Sequence, residues 1–463
     1  MDKRIDSYYN FLKDKKIAFI GVGVSHIELI KLYSKKGFDV TICDKRKIEE
    51  LEDKLVSIDL NKVKLCLGNN YLESLDNFDI IFRTPGMKFY TPELNNARKK
   101  GAVVTSEMEV FFDLCPCKII AVTGSDGKTT TTTLISEFLK KQGYTVHLGG
   151  NIGRALLPTI EDVKPDDFAV VELSSFQLIS MRTSPDISVV TNLQPNHLDM
   201  HKDMQEYIDS KKNIFLHQNA FSKTVLNFSN DITREFSELT RGDTWFFSRF
   251  EKTNRGAFLS DDGFLTVALD STETKLFHYS DIRIPGMHNV ENFLTAIAAV
   301  WGYVDIESIK YVAENFNGVE HRIEFVRELN GVKWYNDSIA SSPSRAIAGL
   351  NSFSQRIILI AGGYDKHIPY EPLAPFVCEK VKTLILCGAT AEKIATAVEN
   401  CKIYNNKTLQ IIKAKDIPDA VRIAHQTAKS GDIVSLSPAS ASFDFYPNFE
   451  VRGKHFKQLV MDL

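Results

Sequence analysis

The chain has little of what marks a membrane or secreted protein. Its longest apolar run, residues 293–304, is far shorter than the ~20 residues that a membrane helix needs. Residues 1–16 are charged and contain no apolar signal segment, so we expect no secretory signal and no membrane insertion. The seven cysteines are an odd number and scattered, which favours reduced thiols in a cytoplasm over a disulfide framework.

A strong net charge is also missing. The 56 Lys and Arg residues nearly balance the 59 Asp and Glu residues, for a formal net charge of −3. This balance excludes a global basic field, and we expect no nucleic-acid partner. What is present is the composition of an ordinary globular protein, with 43% hydrophobic and 25% charged residues. A length of 463 residues corresponds to roughly three domains of ~150 residues each.

A strand–turn–helix pattern begins three times, at residues 16, 118 and about 318. This alternation predicts the α/β class with mostly parallel sheets. We place domain boundaries near residues 106 and 318, which gives domains 1–106, 107–318 and 319–463. Asn330-Gly331 between two apolar runs predicts a β-hairpin over 321–336. The other predicted strands are 16–20, 38–43, 79–82, 118–123, 168–172, 187–191, 356–361, 383–387 and 432–436.

The strongest motif is a glycine loop, Gly124-Ser-Asp-Gly-Lys-Thr-Thr130, which follows a predicted strand and opens a predicted helix. Glycines let the backbone N–H groups point at phosphate oxygens, and the helix N-terminus adds partial positive charge. Lys128 would neutralise the β- and γ-phosphates, and the Thr129 hydroxyl would bind Mg²⁺. Val122 stands where the common motif has its first glycine. The order of strand, loop and helix still favours a phosphate site over a plain turn.

A second glycine loop, Gly21-Val-Gly-Val-Ser25, follows the first predicted strand, and Asp44 ends the second. This half-resembles a dinucleotide fingerprint, in which an acid ~20 residues further on binds a ribose hydroxyl. His26 stands where the fingerprint has its third glycine, which packs the helix closely on the strand. The pattern leaves three interpretations open: a dehydrogenase cofactor, another nucleotide, or a plain turn.

Two further segments offer ligands for a metal or a phosphate. Glu172 ends a predicted strand, where it could complete a Mg²⁺ shell or form a salt bridge. His197 and His201 are spaced i, i+4, as on one face of a metal-binding helix, but Leu198 replaces the glutamate of zinc proteases. We therefore interpret one histidine as near a phosphate or Mg²⁺ site and the second as a surface residue.

The last segment has several polar clusters, each just after a predicted apolar strand. They are 320–322, 336–338, 362–366 and 437–442. Each alone could be turn chemistry, but several at the mouth of one α/β sheet predict a binding face. Upstream, Asn289 precedes a predicted apolar helix, where it could contact a base edge or cap the helix.

Taken together, these residues resemble the Mur ligases, a family of ATP-dependent, amide-forming enzymes of peptidoglycan precursor synthesis. The family's variant phosphate loop also lacks the first glycine. The resemblance implies an N-terminal Rossmann-like domain that binds UDP, a central phosphate-loop ATPase domain and a C-terminal Rossmann-like domain that binds an amino acid. Its most specific parts are 123–130, 149–153, 172–177, the His197 segment, His288-Asn289, His321-Arg322, 336–338 and 363–366.

By the same resemblance, the chain uses ATP and two Mg²⁺ ions to join D-glutamate to UDP-N-acetylmuramoyl-L-alanine through an acyl phosphate, as a monomer in the bacterial cytoplasm. The implied catalytic residues are Lys128, Glu172, His197 and Lys211; the implied metal ligands are Thr129, Glu172, His197 and a carbamylated Lys211. The implied ATP contacts are Gly124, Gly127, Lys128, Thr129, Thr130, Asn289, Asn292, Arg322 and Asp337. The implied contacts of the UDP-linked substrate are Ser25, Asp44, Arg46, Thr84, Gly86, Asn151, Gln177 and His197, and those of the amino acid are Ser341, Lys366, Ser442 and Phe449.

Two positions depart from the family pattern. Asn196 stands where the family usually has aspartate, and Ile339 stands where it usually has lysine after Asn-Asp-Ser. The second difference removes a cation from the expected amino-acid site, so Lys366 would bear more of the binding. Two alternatives remain: a Mur ligase that adds a different amino acid, and a phosphate-loop ATPase or regulator that makes no amide.

Overall fold

The computed structural model describes residues 3–194 and 201–463, whose strands form three sheets. The first sheet is entirely parallel, in the order β3-β2-β1-β4-β5. Its strand order reverses between β1 and β4, which is where doubly wound sheets bind ligands. Its strands are β1 (Lys16–Ile20), β2 (Asp39–Asp44), β3 (Val63–Leu67), β4 (Ile80–Phe82) and β5 (Val103–Thr105), and its helices are α1 (Lys3–Leu12), α2 (Val24–Lys35), α3 (Glu52–Leu55), α4 (Pro92–Lys99) and α5 (Glu107–Leu114).

The second sheet has nine strands in the order β14-β13-β12-β11-β10-β9-β6-β8-β7. Pairing is parallel from β7 to β12, and β12, β13 and β14 pair antiparallel. The strands are β6 (Lys118–Thr123), β7 (Val146–Gly150), β8 (Phe168–Glu172), β9 (Ile187–Val190), β10 (Lys223–Asn227), β11 (Asp243–Ser248), β12 (Arg255–Leu259), β13 (Phe264–Leu269) and β14 (Thr272–His278). The helices that follow in this part of the chain are α6 (Lys128–Gln142), α7 (Ser175–Leu178), α8 (Met204–Lys212), α9 (Asp231–Glu235), α10 (Met287–Val300) and α11 (Ile306–Asn315).

The third sheet has six strands in the order β15-β16-β20-β17-β18-β19. Its first two strands form the predicted hairpin, with positive φ at both Asn330 (54°) and Gly331 (76°), as a type I′ turn requires. The other pairs are parallel. The elements are β15 (Glu324–Leu329), β16 (Val332–Asn336), β17 (Ile357–Ala361), β18 (Val381–Leu386), β19 (Gln410–Lys413), β20 (Ile433–Leu436), α12 (Pro343–Leu350), α13 (Ala374–Lys380), α14 (Ala391–Glu399), α15 (Ile417–Thr427) and α16 (Phe449–Met461).

The described chain forms two compact units. One comprises Met1–His278 with Glu291–Val312, and the other comprises Tyr279–Val290 with Ala313–Leu463. Within the first unit, one hydrophobic core contains side chains of both sheets, such as Phe19 and Phe82 from the first and Ala121 and Val171 from the second. The boundary near residue 106 therefore separates two sheets that share a core.

Helix α6 shows how an unfavourable sequence is accommodated. Its first turns contain a run of threonines, which have low helix propensity. The Thr132 hydroxyl donates to the Lys128 carbonyl and the Thr133 hydroxyl to the Thr129 carbonyl, each at 2.8 Å. Leu134, Ile135 and the later apolar residues of α6 are buried and pack against the rest of the protein. This packing stabilises the helix despite the low helix propensity of its threonines.

The predicted α/β class with mostly parallel sheets is confirmed. The hairpin and the predicted apolar strands are present, most of them within two residues of the predicted ends. Sequence analysis missed the edge strands β3, β5, β7 and β19 and the whole run β10–β14. Among residues 3–194 and 201–463, no helix combines the length and the apolar character that a membrane crossing needs.

Candidate functional site

The predicted phosphate loop joins α6 to β6, which is the third strand from one edge of the second sheet. Gly124 (φ 145°) and Gly127 (φ 76°) have backbone conformations that other residues rarely adopt. A Cβ on Gly124 would collide with the Thr191 hydroxyl, and one on Gly127 would lie 2.5 Å from Asn292 Oδ1. Both glycines are therefore required, and the predicted contact residue Asn292 lies beside the loop.

Two lysines donate to carbonyl oxygens of this loop. Lys128 Nζ is 2.8 Å from the Ser125 oxygen. Lys211 Nζ, on α8, donates to the Gly124 oxygen at 2.9 Å and to Thr123 Oγ1 at 3.0 Å. Burial, reinforced by the charge of Lys128, lowers the pKa of the Lys211 amine well below its usual value. The loop thus holds the Lys128 side chain and a Lys211 amine whose neutral form burial favours, at the place where the sequence predicts phosphate.

Glu172, the last residue of β8, offers a carboxylate to the same part of the sheet. Its side chain is buried, and its Oε1 accepts a hydrogen bond of 2.9 Å from Asn151 Nδ2. Its Oε2 is buried without a hydrogen-bond partner among the described residues. A buried, unpartnered carboxylate oxygen is costly in free energy unless a cation binds it. This oxygen therefore fits a Mg²⁺ ion, and the described residues form no salt bridge with Glu172.

A metal site built from protein side chains alone is not present in the described residues, which contain no cluster of three or more His, Cys, Asp and Glu that could hold an ion. Mg²⁺ is commonly bound by one or two carboxylates, hydroxyls and substrate phosphates instead. Thr129, in the first turn of α6, and Glu172 are donors of that kind. The donor set therefore suits a cation that arrives with a phosphate ligand.

Gln177 has a structural role in addition to the predicted substrate contact. Its Oε1 accepts from the Ser174 backbone N–H (2.9 Å) and hydroxyl (2.8 Å), and its own N–H donates to Ser174 Oγ. These bonds form a capping box that starts α7 directly after β8. The cap fixes the chain just beyond Glu172.

The histidine segment is described only in part. His197 and Asn196 lie outside the described residues. The interpretation of His201 as a surface residue is wrong: its side chain is buried and stacks on Phe176 with ring centroids 5.2 Å apart. Its Nε2 lies 2.8 Å from Ser175 Oγ. The imidazole is buried because it packs between α7 and the start of α8, which sequence spacing could not reveal.

In the first sheet, the loops after β1, β2 and β4 meet. A Cβ on Gly21 would lie 3.6 Å from Thr84 Cγ2. Asp44 accepts from the Val22 N–H (3.0 Å) and from two nitrogens of the Arg46 guanidinium (2.9 and 2.6 Å). Burial alone would raise the pKa of Asp44, but these hydrogen bonds lower it to about 2. The structure therefore brings Asp44, Arg46 and Thr84 to one edge, with Gly86 in the loop after β4 and Ser25 in the first turn of α2.

Sequence reasoning missed Arg83, which links this edge to the second sheet. Its guanidinium is fully buried and donates to the carbonyls of Met87 (2.7 Å) and Phe176 (2.9 Å). Burial lowers the pKa of Arg83 to about 10. Arg83 also lines a cavity of about 330 Å³ with Lys88 and Phe176. No local signal distinguishes this arginine from a solvated one, because its partner lies 93 residues away.

In the second unit, three of the polar clusters follow β16, β17 and β20 as predicted, whereas the placement of 320–322 after a strand is wrong, because this cluster lies between α11 and β15. Asp337 is buried; its Oδ2 accepts from the Ser437 hydroxyl (2.7 Å) and its Oδ1 from the Ile323 N–H (3.3 Å). Burial raises the pKa of Asp337 to about 7. His321 and Ile323, on either side of Arg322, have positive φ. This irregular backbone presents the predicted nucleotide contacts Arg322 and Asp337 in one loop cluster.

The predicted amino-acid contacts lie in neighbouring loops of the same unit. Lys366 is exposed and its Nζ lies 5.8 Å from the centroid of the Phe443 ring. Ser341 follows β16, Ser442 follows β20, and Phe449 is the first residue of α16. Sequence reasoning missed Arg452, a fully buried guanidinium that donates to Ser338, Ser440 and Ala441 and so ties the loops after β16 and β20 together.

Asn289 does not precede a helix. Helix α10 begins at Met287, so Asn289 lies inside its first turn, and its Nδ2 donates to the Pro285 carbonyl at 2.6 Å. The predicted N-cap is therefore wrong by one turn, since the apolar pattern used to place the helix starts only after this residue. The side-chain amide still belongs to the predicted nucleotide contacts.

Comparison with known proteins covers the whole chain. Family models match residues 15–106 (Mur ligase MurD-like, N-terminal domain), 122–300 (Mur ligase middle domain) and 321–440 (Mur ligase, glutamate ligase domain). The chain is 53% identical over 468 residues to a UDP-N-acetylmuramoylalanine–D-glutamate ligase of Acetivibrio thermocellus, covering 99% of both chains. It is 49% identical over 463 residues to the protein of the same name from Clostridium botulinum (strain Hall), covering 100% of both.

Solved structures show the same fold at low sequence identity. One is a UDP-N-acetylmuramate-alanine ligase, MurC, from Thermotoga maritima, with a TM-score of 0.57 at 17% identity over 97% of this chain and 99% of that one. Another is a pseudomurein peptide ligase type C from Methanothermus fervidus, with a TM-score of 0.54 at 19% identity over 97% of this chain and 100% of that one. At such identities the likeness concerns the fold alone.

Proposed function

The chain belongs to the Mur ligase family, and from this premise we propose that it joins D-glutamate to UDP-N-acetylmuramoyl-L-alanine in an ATP-dependent amide-forming reaction of peptidoglycan precursor synthesis. Identity of about one half along the whole chain to ligases named for that reaction supports the choice of amino acid. The observation that carries the chemistry is that Lys128 and Lys211 both donate to the glycine loop after β6, while the neighbouring strand β8 ends at Glu172, whose Oε2 has no partner among the described residues.

The reaction needs a phosphoryl donor because a carboxylate is a poor electrophile. A carboxylate oxygen of the alanine attacks the γ-phosphorus of ATP, the bond to the β–γ bridging oxygen breaks, and ADP leaves. The amine of D-glutamate then attacks the acyl phosphate, loses a proton and expels inorganic phosphate, which leaves the amide. Both steps bring anions together, so positive charge must be held in place beforehand.

The residues of the phosphate loop supply that charge. Lys128 would exchange its bond to the Ser125 oxygen for the β- and γ-phosphates, and Gly124 and Gly127 give the backbone its anion-binding curve. The hydroxyls of Thr129 and Thr130 stand at the start of α6, where the helix dipole favours phosphate.

Mg²⁺ would neutralise phosphate charge during the transfer. We propose Thr129 and Glu172 as ligands of one ion, and His197 with a carbamylated Lys211 as support for a second. A neutral amine adds CO₂ and loses a proton to give a carbamate, and the lowered pKa of Lys211 favours that neutral form. Carbamylation would turn a cation into a carboxylate-like oxygen donor, which Mg²⁺ prefers.

The remaining contacts are proposed by resemblance. Ser25, Asp44, Arg46, Thr84, Gly86, Asn151, Gln177 and His197 would bind the UDP-linked substrate. In the second unit, Asn289, Arg322 and Asp337 would bind nucleotide, and Ser341, Lys366, Ser442 and Phe449 would bind D-glutamate. Asn292, in the first unit, would also contact nucleotide. We propose a monomer, which the elution volume in size-exclusion chromatography tests.

The test is a product assay over a panel of D- and L-amino acids with each UDP-muramoyl precursor, read by mass spectrometry. We expect an amide only with ATP, with D-glutamate as the preferred amine and UDP-N-acetylmuramoyl-L-alanine as the preferred acid. Preference for another amino acid would overturn the substrate assignment. ADP release at full rate without any amino acid would favour an ATPase that makes no amide.

A further inference from the structure

Helix α8 contacts the phosphate loop through two side chains, of which the proposed chemistry uses only Lys211. One turn earlier on the same face, Tyr207 is buried, and its hydroxyl lies 2.9 Å from Ser125 Oγ. Lys211 reaches the neighbouring residue, Gly124, at 2.9 Å. One helix therefore holds two consecutive residues of the loop.

The Ser125 hydroxyl has all of its hydrogen-bonding capacity occupied. It donates to the Gln194 carbonyl at 3.0 Å and accepts from the Gln194 N–H at 2.9 Å. A hydroxyl has one proton to donate and two lone pairs, so its second lone pair accepts from Tyr207. Tyr207 is thus the donor, and Ser125 has no hydrogen bond left to give to a nucleotide phosphate.

The Tyr207 ring is held so that its hydroxyl points at the loop. The ring is edge-on to His201, with centroids 5.4 Å apart, and the imidazole is itself held 2.8 Å from Ser175 Oγ. Lys211 Nζ lies 5.0 Å from the centroid of the same ring.

We propose that Tyr207 is a positioning residue for the nucleotide: acting only through the Ser125 hydroxyl, it fixes the phosphate loop against helix α8 and so sets the affinity of the loop for ATP. The inference rests on the proposed function, since it assumes that the loop binds ATP phosphates. It adds a residue that touches no substrate and that no motif identifies.

The first experiment compares Tyr207→Phe with the wild type in the full-length protein. The substitution keeps the ring and removes one neutral hydrogen bond, so we expect the Kd for ADP, measured by titration calorimetry, and the KM for ATP to rise about five-fold. The KM values for the UDP-linked substrate and for D-glutamate stay within about two-fold of the wild type. The matched control is Tyr33→Phe on α2, which removes an equally buried hydroxyl from its 2.7 Å bond to Tyr8 on α1. It leaves nucleotide affinity unchanged.

The second experiment is a double-mutant cycle with Ser125→Ala. Because Tyr207 acts through Ser125, the double variant binds nucleotide no more weakly than Ser125→Ala alone. Additive losses would overturn the proposal, as would unchanged nucleotide affinity in Tyr207→Phe. An equal loss of affinity for all three substrates would show general destabilisation and would also overturn it. If the wild-type protein binds no nucleotide, the proposed function fails; if it binds and the variants match it, only this inference fails.

Discussion

The glycine loops of the first and second sheets begin alike and carry opposite charge. Each follows a buried parallel strand and precedes a helix, α2 or α6. In the first loop, the protein's own carboxylate accepts from the backbone, since Asp44 binds the Val22 N–H. In the second, Lys128 and Lys211 donate to the backbone carbonyls.

The difference indicates that a glycine loop marks the place where an α/β sheet binds a ligand. The neighbouring charges then decide which ligand binds there. A carboxylate facing the loop repels phosphate and suits a hydroxyl or ring N–H donor, which is consistent with a nucleoside end. The charge of Lys128 attracts phosphate. His26 strengthens the contrast, because its Nδ1 lies 2.9 Å from the Gly21 carbonyl and its ring stands where a dinucleotide fingerprint has glycine. Side chains of the protein itself therefore bind backbone groups of the first loop.

The largest effect is expected at the cationic loop. Lys128→Ala should lower kcat about 10³-fold, since it removes a charge that stabilises the transferring phosphoryl group. Release of ADP measures this loss. The matched control is Lys140→Ala, on the surface of the same helix, where the lysine pairs with Glu137. Activity near that of the wild type in Lys128→Ala would remove the contrast between the loops.

The next largest effect is expected at Glu172, the last residue of β8. Glu172→Gln keeps the shape and an acceptor for Asn151 but removes the charge that the buried Oε2 would offer to a cation. We expect kcat to fall about 10²-fold and the Mg²⁺ concentration needed for half-maximal rate to rise. The surface variant Glu137→Gln should change neither value. An unaltered Mg²⁺ requirement in Glu172→Gln would exclude it as a metal ligand.

The residues of the second glycine loop could be predicted from the sequence, whereas the buried side chains that hold the site in place could not. Gly124, Gly127 and Lys128 could be predicted because a strand, a loop and a helix follow one another within a few residues. Arg83 and Tyr207 could not, because each reaches a partner more than 80 residues away and a buried arginine looks like a surface one in sequence. The i, i+4 spacing of Tyr207 and Lys211 was the one local signal that both share a face.

The same reasoning explains the strands that were missed. Lys118–Thr123 and Ile357–Ala361 are apolar runs buried on both faces, which makes them recognisable. The edge strand Thr272–His278 is rich in polar residues, so its pattern resembles that of a loop, and the edge strand Val63–Leu67 is short and contains no fully buried residue. Only pairing with a neighbouring strand identifies them.

At the first loop, Asp44→Asn should weaken the binding of the UDP-linked substrate and leave the binding of ATP unchanged. It weakens the charge-assisted bonds from Arg46 and removes the negative charge at that edge, and we expect about a ten-fold rise in the KM for the UDP-linked substrate. The KM for ATP should not change. Initial rates over both substrate concentrations give these values, and a rise in the KM for ATP instead would contradict the division of labour between the loops.

The last prediction concerns stability at acid pH and leaves the activity aside. Burial lowers the pKa of His26 to about 4, from an ordinary value of 6.5. Between these values the unfolded chain binds a proton that the folded chain does not, so stability falls as the pH falls, by up to about 3 kcal/mol. In His26→Asn, which retains a donor for Gly21, the urea midpoint should fall less over this range. Burial raises the pKa of Glu107 to about 7, which acts in the opposite direction but equally in both proteins. If the urea midpoints of the wild type and of His26→Asn fell equally with pH, the low pKa of His26 would be contradicted.

We propose that the second glycine loop cleaves ATP in order to activate a carboxylate. This proposal is tested most directly with UDP-N-acetylmuramoyl-L-alanine labelled with ¹⁸O in the alanine carboxylate. If an acyl phosphate forms, one labelled oxygen leaves with the inorganic phosphate for each amide made, and mass spectrometry detects it in that phosphate. Unlabelled phosphate released alongside the amide would contradict the claim.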